Sequence, residues 1–202
     1  MALNRQTTSI NASKTPDRPW LDLAYQVANL VFPLVPVALV LYLLWVYQRP
    51  HGGPLRSMGF DLRRPGFDLG VGSAVFVGIG AGGLVLYYVS RELGYNTSVS
   101  PANLAAAWWT VPMLLLLAVK NAVLEEVVMV GYLFTRWRQS GGGILAVLAG
   151  SALIRGAYHL YQGFGGFVGN VVMGLLFGWL YLRTRRVMPL VVVKFVDRKS
   201  VV

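Results

Sequence analysis

The chain has 202 residues, 55% of them apolar and only 13% charged, with a mean hydropathy of +0.56 and no cysteine. A soluble globular domain carries roughly 25% charged residues, so the composition excludes an ordinary soluble fold and indicates a polytopic helical membrane protein embedded in a lipid bilayer. The lack of cysteine excludes disulfides, zinc–thiolate sites and thiol nucleophiles, and the net charge of +10 gathers at the ends of apolar runs, which argues against nucleic acid as a partner.

Residues 1–19 form a polar tail, and residues 20–202 are expected to fold as a single transmembrane helical domain. The first apolar run, about 20–47, is too long for a signal-peptide core and reads as a spanning helix kinked at Pro33 and Pro36. A second run covers 69–89, where Gly78 and Gly82 make a small-residue face suited to close helix contact. The third begins near Asn103 and extends to Arg136, about 50 Å of helix at the usual rise. That exceeds one upright span, so it has to tilt, emerge or bend, with Pro112 as the candidate bend. The fourth is 144–161 and the fifth 167–182, with Gly174 and Gly178 as another small-residue pair. A sixth run, 187–196, gives about 15 Å of helix, half a span. The expected fold is therefore all-α: a polytopic transmembrane helix bundle with five full spans and a truncated sixth.

Basic residues alternate between loops. Arg49, Arg56, Arg63 and Arg64 occupy one, Arg136 and Arg138 a second, and Arg183, Arg185 and Arg186 a third. The positive-inside rule assigns these three to the cytoplasm, and the tail to the other side despite Arg5, Lys14 and Arg18. In this scheme the arginines are topology signals, Trp20, Trp45, Trp108 and Trp109 are interfacial anchors, and His51 lies exposed in a Pro/Gly-rich loop.

The informative exception is LLLLAVKNAVLEEVVMVGYLF, residues 114–134, where Lys120, Asn121, Glu125 and Glu126 interrupt an apolar run. Counted from the basic ends, Glu125, His159 and Asn170 lie about 16, 24 and 20 Å deep, on three different helices of a bilayer core about 30 Å thick. Ionisable groups at such depth cost about 3 kcal/mol each and face a polar cavity or one another. Asn121, Glu125, Tyr132 and Arg136, spaced 4, 7 and 4, form one polar stripe, and Arg155 with His159 form a second. Carboxylate and imidazole together can hold and deprotonate a water, and the same groups are ligands for a zinc-type ion. Taken singly, each has a plainer role. Glu125 or Glu126 can be half of a structural ion pair with Lys120 or Arg155, His159 an interhelical hydrogen-bonding residue, and Asn170 a packing amide.

The segments EEVVMVG (125–131), RGAYH (155–159) and MPLVVVKFVD (188–197) resemble the motif regions of the CPBP family. These are the CAAX proteases and bacteriocin-processing enzymes, Abi-type intramembrane metalloproteases, and the resemblance covers about residues 100–196. It implies a membrane-embedded endopeptidase, in a bacterial plasma membrane, acting on a membrane-associated peptide or protein. Glu125 would activate water, His159 would position it or help bind a metal such as zinc or another divalent ion, and Glu126 would support them. A third-motif His and its Asn partner would stabilise the oxyanion, and Asn170 would lend support.

Three positions depart from the pattern. Val130 stands where the first-motif Arg belongs and Arg155 where the second-motif Phe belongs, so the missing guanidinium is expected to return from the neighbouring helix. Lys194 stands at the third-motif His, with Asp197 three residues on. A lysine donates to an oxyanion or neutralises a glutamate, but it cannot be a neutral imidazole ligand, and its charge opposes a bound dication. Because helix loss and motif loss coincide, the sequence is expected to end short of the complete gene product. A catalytically inactive membrane binding or immunity protein that keeps the fold is the alternative, and a small transporter subunit a weaker one, since paired broken helices are not evident.

Overall fold

The computed structural model describes residues 7–9, 12–48, 53–100, 104 and 107–199. Arg5, Arg49, His51 and Asn103 lie outside these residues, as does the side chain of Asp197. The regular structure of the described chain is helical apart from one short pairing of the tail and an isolated antiparallel bridge between Asn96 and Gly163. Strand β1 (Thr7–Ser9) runs parallel to β2 (Ser98–Ser100), so this part of the tail is paired with the loop that follows the second apolar run.

Helix α1 (Pro19–Val31) begins with proline at its first position, where no backbone donor is lost. Asp22 in its first turn accepts from the Lys14 backbone N–H at 2.9 Å and from Gln26 Nε2 at 2.7 Å, which explains a carboxylate buried there. A 3-10 turn at Phe32–Leu34 separates α1 from α2 (Val35–Gln48), matching the kink expected at Pro33 and Pro36. A short helix α3 (Gly53–Ser57) leads to α4 (Pro65–Glu92), then α5 (Thr110–Glu126), a π-helical segment at Val127–Tyr132, and α6 (Leu133–Gln139). Helix α7 (Ile144–Ala157), a 3-10 turn at Leu160–Gln162, α8 (Phe164–Thr184) and α9 (Met188–Lys199) complete the chain order.

Among the described residues, three helical stretches are long and apolar enough to cross a membrane: Pro19–Tyr47, Pro65–Glu92 and Phe164–Thr184. Helix α7 is apolar but shorter. The third run is not bent at Pro112, which lies in the first turn of α5 where proline does no harm. Its irregularity is the π segment, which begins fifteen residues further on, at Val127.

Glycine positions decide the packing, and not as expected for α4. A Cβ on Gly78 or Gly82 would meet nothing within 4 Å, so that face has no helix against it among the described residues. Gly72 is the contact instead: a Cβ there would sit 2.7 Å from Val192 Cγ1 of α9. The α7–α8 interface does follow the sequence. Cβ atoms on Gly174 and Gly178 would lie 2.8 Å from Ala152 Cα and 2.5 Å from Leu148 Cδ1, so the two backbones approach as closely as small residues allow.

At the basic end, Arg186 is buried and not a free topology signal. Its Nε and Nη2 bind Asp68 as a fork at 2.7 Å each, and Nη2 also reaches the Asp61 side chain at 3.0 Å. Beside it, backbone N–H groups of Val187 and Met188 donate to the carbonyls of Met58 and Gly59. Met58 is buried against Gly131, where a Cβ would lie 2.5 Å from its sulfur. The loop 58–61 therefore clasps the start of α9 to α4 and to the π segment. The apolar core between these elements contains Leu44, Met58, Val127, Val130, Phe134, Phe177, Val187 and Leu190.

Candidate active site

Glu125 and Glu126 are the last two residues of α5, immediately before the π segment. Displaced carbonyls in that segment find side-chain donors: Ser151 Oγ on Met129 O at 3.2 Å and Thr135 Oγ1 on Gly131 O at 2.6 Å. The wider turn ends the 3.6-residue spacing beyond Glu126. Arg136, expected on the Glu125 stripe, consequently points elsewhere. It donates to Gln139 at 2.7 Å and stacks over Tyr47, 4.4 Å from the ring centroid.

Helix α7 brings Arg155 against this end of α5. Arg155 is 1% exposed, Glu126 0%. Its Nη1 lies 2.8 Å from Glu126 Oε1 and 3.6 Å from Glu125 Oε2, and its guanidinium covers the Phe177 ring of α8. From α9, Lys194 Nζ reaches Glu125 Oε2 at 3.0 Å. Tyr158 donates its hydroxyl to the same oxygen at 3.3 Å. Two carboxylates thus face two cations, and the quartet Glu125, Glu126, Arg155 and Lys194 is neutral. Neutrality is what permits such a cluster in an apolar bundle, since an unpaired buried charge costs several kcal/mol.

His159 is not on a helix face. Helix α7 stops at Ala157, and His159 lies in the turn that follows, with Nδ1 2.9 Å from the Arg155 carbonyl. A carbonyl only accepts, so Nδ1 carries the hydrogen and Nε2 keeps a lone pair. The bond also closes one of the open carbonyls at the end of α7. Asn170, from α8, is not brought into the cluster by a hydrogen bond: its Nδ2 donates to the Gly166 carbonyl one turn back.

Sequence depth and spacing singled out Glu125, Glu126, Arg155 and His159, the family resemblance pointed to Lys194, and the structure gathers these around the end of α5. Spacing missed Tyr158, which no helical periodicity ties to Glu125, and it missed the clasp of Asp61, Asp68 and Arg186. Asp68 in the first turn of an apolar helix was the available signal for the clasp.

The donor set does not suit a divalent metal. The Glu125 oxygen that a metal would take is already bound by an ammonium and a phenol, with a guanidinium at 3.6 Å. Neither cationic group has a lone pair to offer, and both repel a dication. Among the described residues no three His, Asp or Glu side chains converge on a point that could hold an ion.

Residues 107–196 match the family model for type II CAAX prenyl endopeptidases of the Rce1-like kind. That segment is an Rce1-like domain. No curated protein and no solved structure matches the chain. The Rce1-like segment starts just before α5 and closes within α9, so it contains every member of the polar cluster, including Lys194. The family is one of proteases, whose substrates are peptides.

Proposed function

We propose that the protein is a multi-pass intramembrane endopeptidase that uses Glu125 as a general base without a metal. The observation carrying this reading is the convergence of Arg155 from α7, Tyr158 from the turn after it and Lys194 from α9 on one carboxylate oxygen of Glu125, with His159 beside them. In this scheme Glu125 takes a proton from water as its oxygen bonds to the scissile carbonyl carbon. That proton passes to the leaving nitrogen as the C–N bond breaks. The Nε2 lone pair of His159 orients the water. Lys194 turns one of its three N–H donors to the developing oxyanion, the place an imidazole would otherwise fill. Glu126 and Arg155 hold the charge balance from below.

The substrate is a peptide segment of a membrane-associated protein. The chain crosses the bilayer five times, through the α1–α2 unit, α4, the α5–α6 unit, α7 and α8, with α9 a short sixth element and the basic ends on the cytoplasmic side of a bacterial plasma membrane. The long apolar stretches and the basic clusters support this arrangement.

One contact favours a second reading. At 3.0 Å, Lys194 occupies the oxygen that should accept a proton, which suits a binding or immunity protein that has lost turnover. The two readings separate on cleavage of a membrane-peptide reporter. Glu125→Gln and His159→Ala abolish cleavage while leaving the folded protein if the first holds; a phenotype that survives both changes overturns it in favour of the second.

A further inference from the structure

The Tyr158 side chain touches both members of the Glu125–His159 pair. Tyr158 closes the C-terminal end of α7 with φ −76° and ψ −2°, so it projects from a turn and not from the helix face. Its hydroxyl donates to Glu125 Oε2 at 3.3 Å. Its ring packs on the His159 imidazole, centroids 4.5 Å apart and planes 40° from parallel. The imidazole is bounded elsewhere by its Nδ1 contact to the Arg155 carbonyl and by the Tyr161 ring at 6.1 Å.

Glu125 needs such a partner. Its Oε2 has Lys194 at 3.0 Å and Arg155 at 3.6 Å, two cations on different helices that attract the same oxygen. Ionic attraction is weakly directional, so neither cation by itself fixes the carboxylate plane. A phenol is directional and uncharged. It fixes that plane without adding positive charge, which two cations already supply in balance with two carboxylates.

We propose that Tyr158 is a positioning residue for the Glu125–His159 pair, its hydroxyl setting the carboxylate and its ring setting the imidazole. The role rests on the endopeptidase reading, and it is carried by contacts that exist whether or not turnover is measured.

Tyr158→Phe removes the hydroxyl and keeps the ring. In the peptide-reporter assay it should lower kcat by about tenfold or more, the scale of a misplaced reacting group, with KM within about twofold. Tyr158→Leu, lacking the ring too, should fall further. Replacing Tyr158 with ring-fluorinated tyrosines preserves shape while strengthening the donor, and kcat should then track phenol acidity, which a purely packing role would not produce. A thermal-denaturation cycle on Glu125→Gln, Tyr158→Phe and the double variant reads the contact without turnover: the double shift in Tm should be clearly smaller than the sum. Wild-type kcat in Tyr158→Phe, a flat fluorotyrosine series or additive Tm shifts overturn the proposal. If Glu125→Gln cleaves like wild type, the endopeptidase reading falls, while the Tm cycle still decides the Tyr158–Glu125 coupling.

Discussion

Lys194 and Glu125, 69 positions apart in sequence, meet with Nζ 3.0 Å from Oε2, joining α9 to the end of α5. Removing the ammonium takes one of two cations from the partly buried Glu125 carboxylate, leaving Arg155 at 3.6 Å. Lys194→Met should destabilise the protein by about 3 kcal/mol, as breaking a buried pair does. The double variant with Glu125→Gln should recover most of that loss. Chemical denaturation in detergent measures both, and equal stabilities for the single and double variants would show that the pair contributes nothing. In the activity assay, Lys194→His should raise cleavage if the lysine is what limits Glu125 as a base.

Arg155 is the larger risk to folding. It bridges Glu126 at 2.8 Å and Glu125 at 3.6 Å from a 1% exposed position. Arg155→Glu would place three carboxylates together and should yield no folded protein. Arg155→Met combined with Glu126→Gln should fold better than Arg155→Met alone. Full tolerance of Arg155→Glu, read by size-exclusion profile and Tm, would remove the charge-balance argument. Exchanging the two departures, Val130→Arg with Arg155→Phe, should keep the fold, since the guanidinium then returns from the π segment.

Helix interfaces give a sharp contrast between glycines of the same spacing. Gly174→Leu should cost about 2 kcal/mol or more, because its Cβ alone would sit 2.8 Å from the Ala152 backbone. Gly78→Leu should leave Tm unchanged, as nothing lies within 4 Å of that position. A destabilised Gly78→Leu would mean another helix or a second copy covers α4.

The clasp at the basic end has a defined pH behaviour. The fork to Asp68, aided by Asp61, holds Arg186 above the usual arginine pKa. A base with a raised folded pKa contributes in full below its unfolded value and loses that contribution only as pH rises through the folded one. The Tm difference between wild type and Arg186→Met should therefore be constant between about pH 6 and about pH 9, well below the arginine range. A difference that shrinks across that window would contradict the fork. The same variant should reduce cleavage, because α9 carries Lys194.

Chelation tests the metal-free site. Prolonged dialysis against a zinc chelator should change neither Tm nor cleavage, since Arg155 already holds Glu126 Oε1 and Lys194 already holds Glu125 Oε2. Stoichiometric zinc in the purified protein, lost together with activity, would overturn the geometry argued for Glu125.

Much of this was legible in one dimension. Helix existence follows from apolar runs, the kink near Phe32–Leu34 from two prolines, and the α7–α8 contact from Gly174 and Gly178. Buried charge in an apolar run marked Glu125, Glu126 and Arg155, because such groups must find each other to stay in the core. Two of the failures share one cause, which is periodicity carried past a point where the helix changes. Arg136 was put on the Glu125 stripe, but a π turn intervenes. His159 was put on a helix that stops at Ala157.

The sequence by itself determined which segments are helices and which charges needed partners, since both follow from local spacing and from the cost of burying an ion. Only the tertiary structure decided who the partners are. That Lys194 lands on Glu125, that Tyr158 reaches the same oxygen and that Arg186 is clasped by Asp68 depend on helix ends, a π turn and the rotation of one helix on another. Those are set by packing between residues distant in the chain, for which no period in the sequence exists.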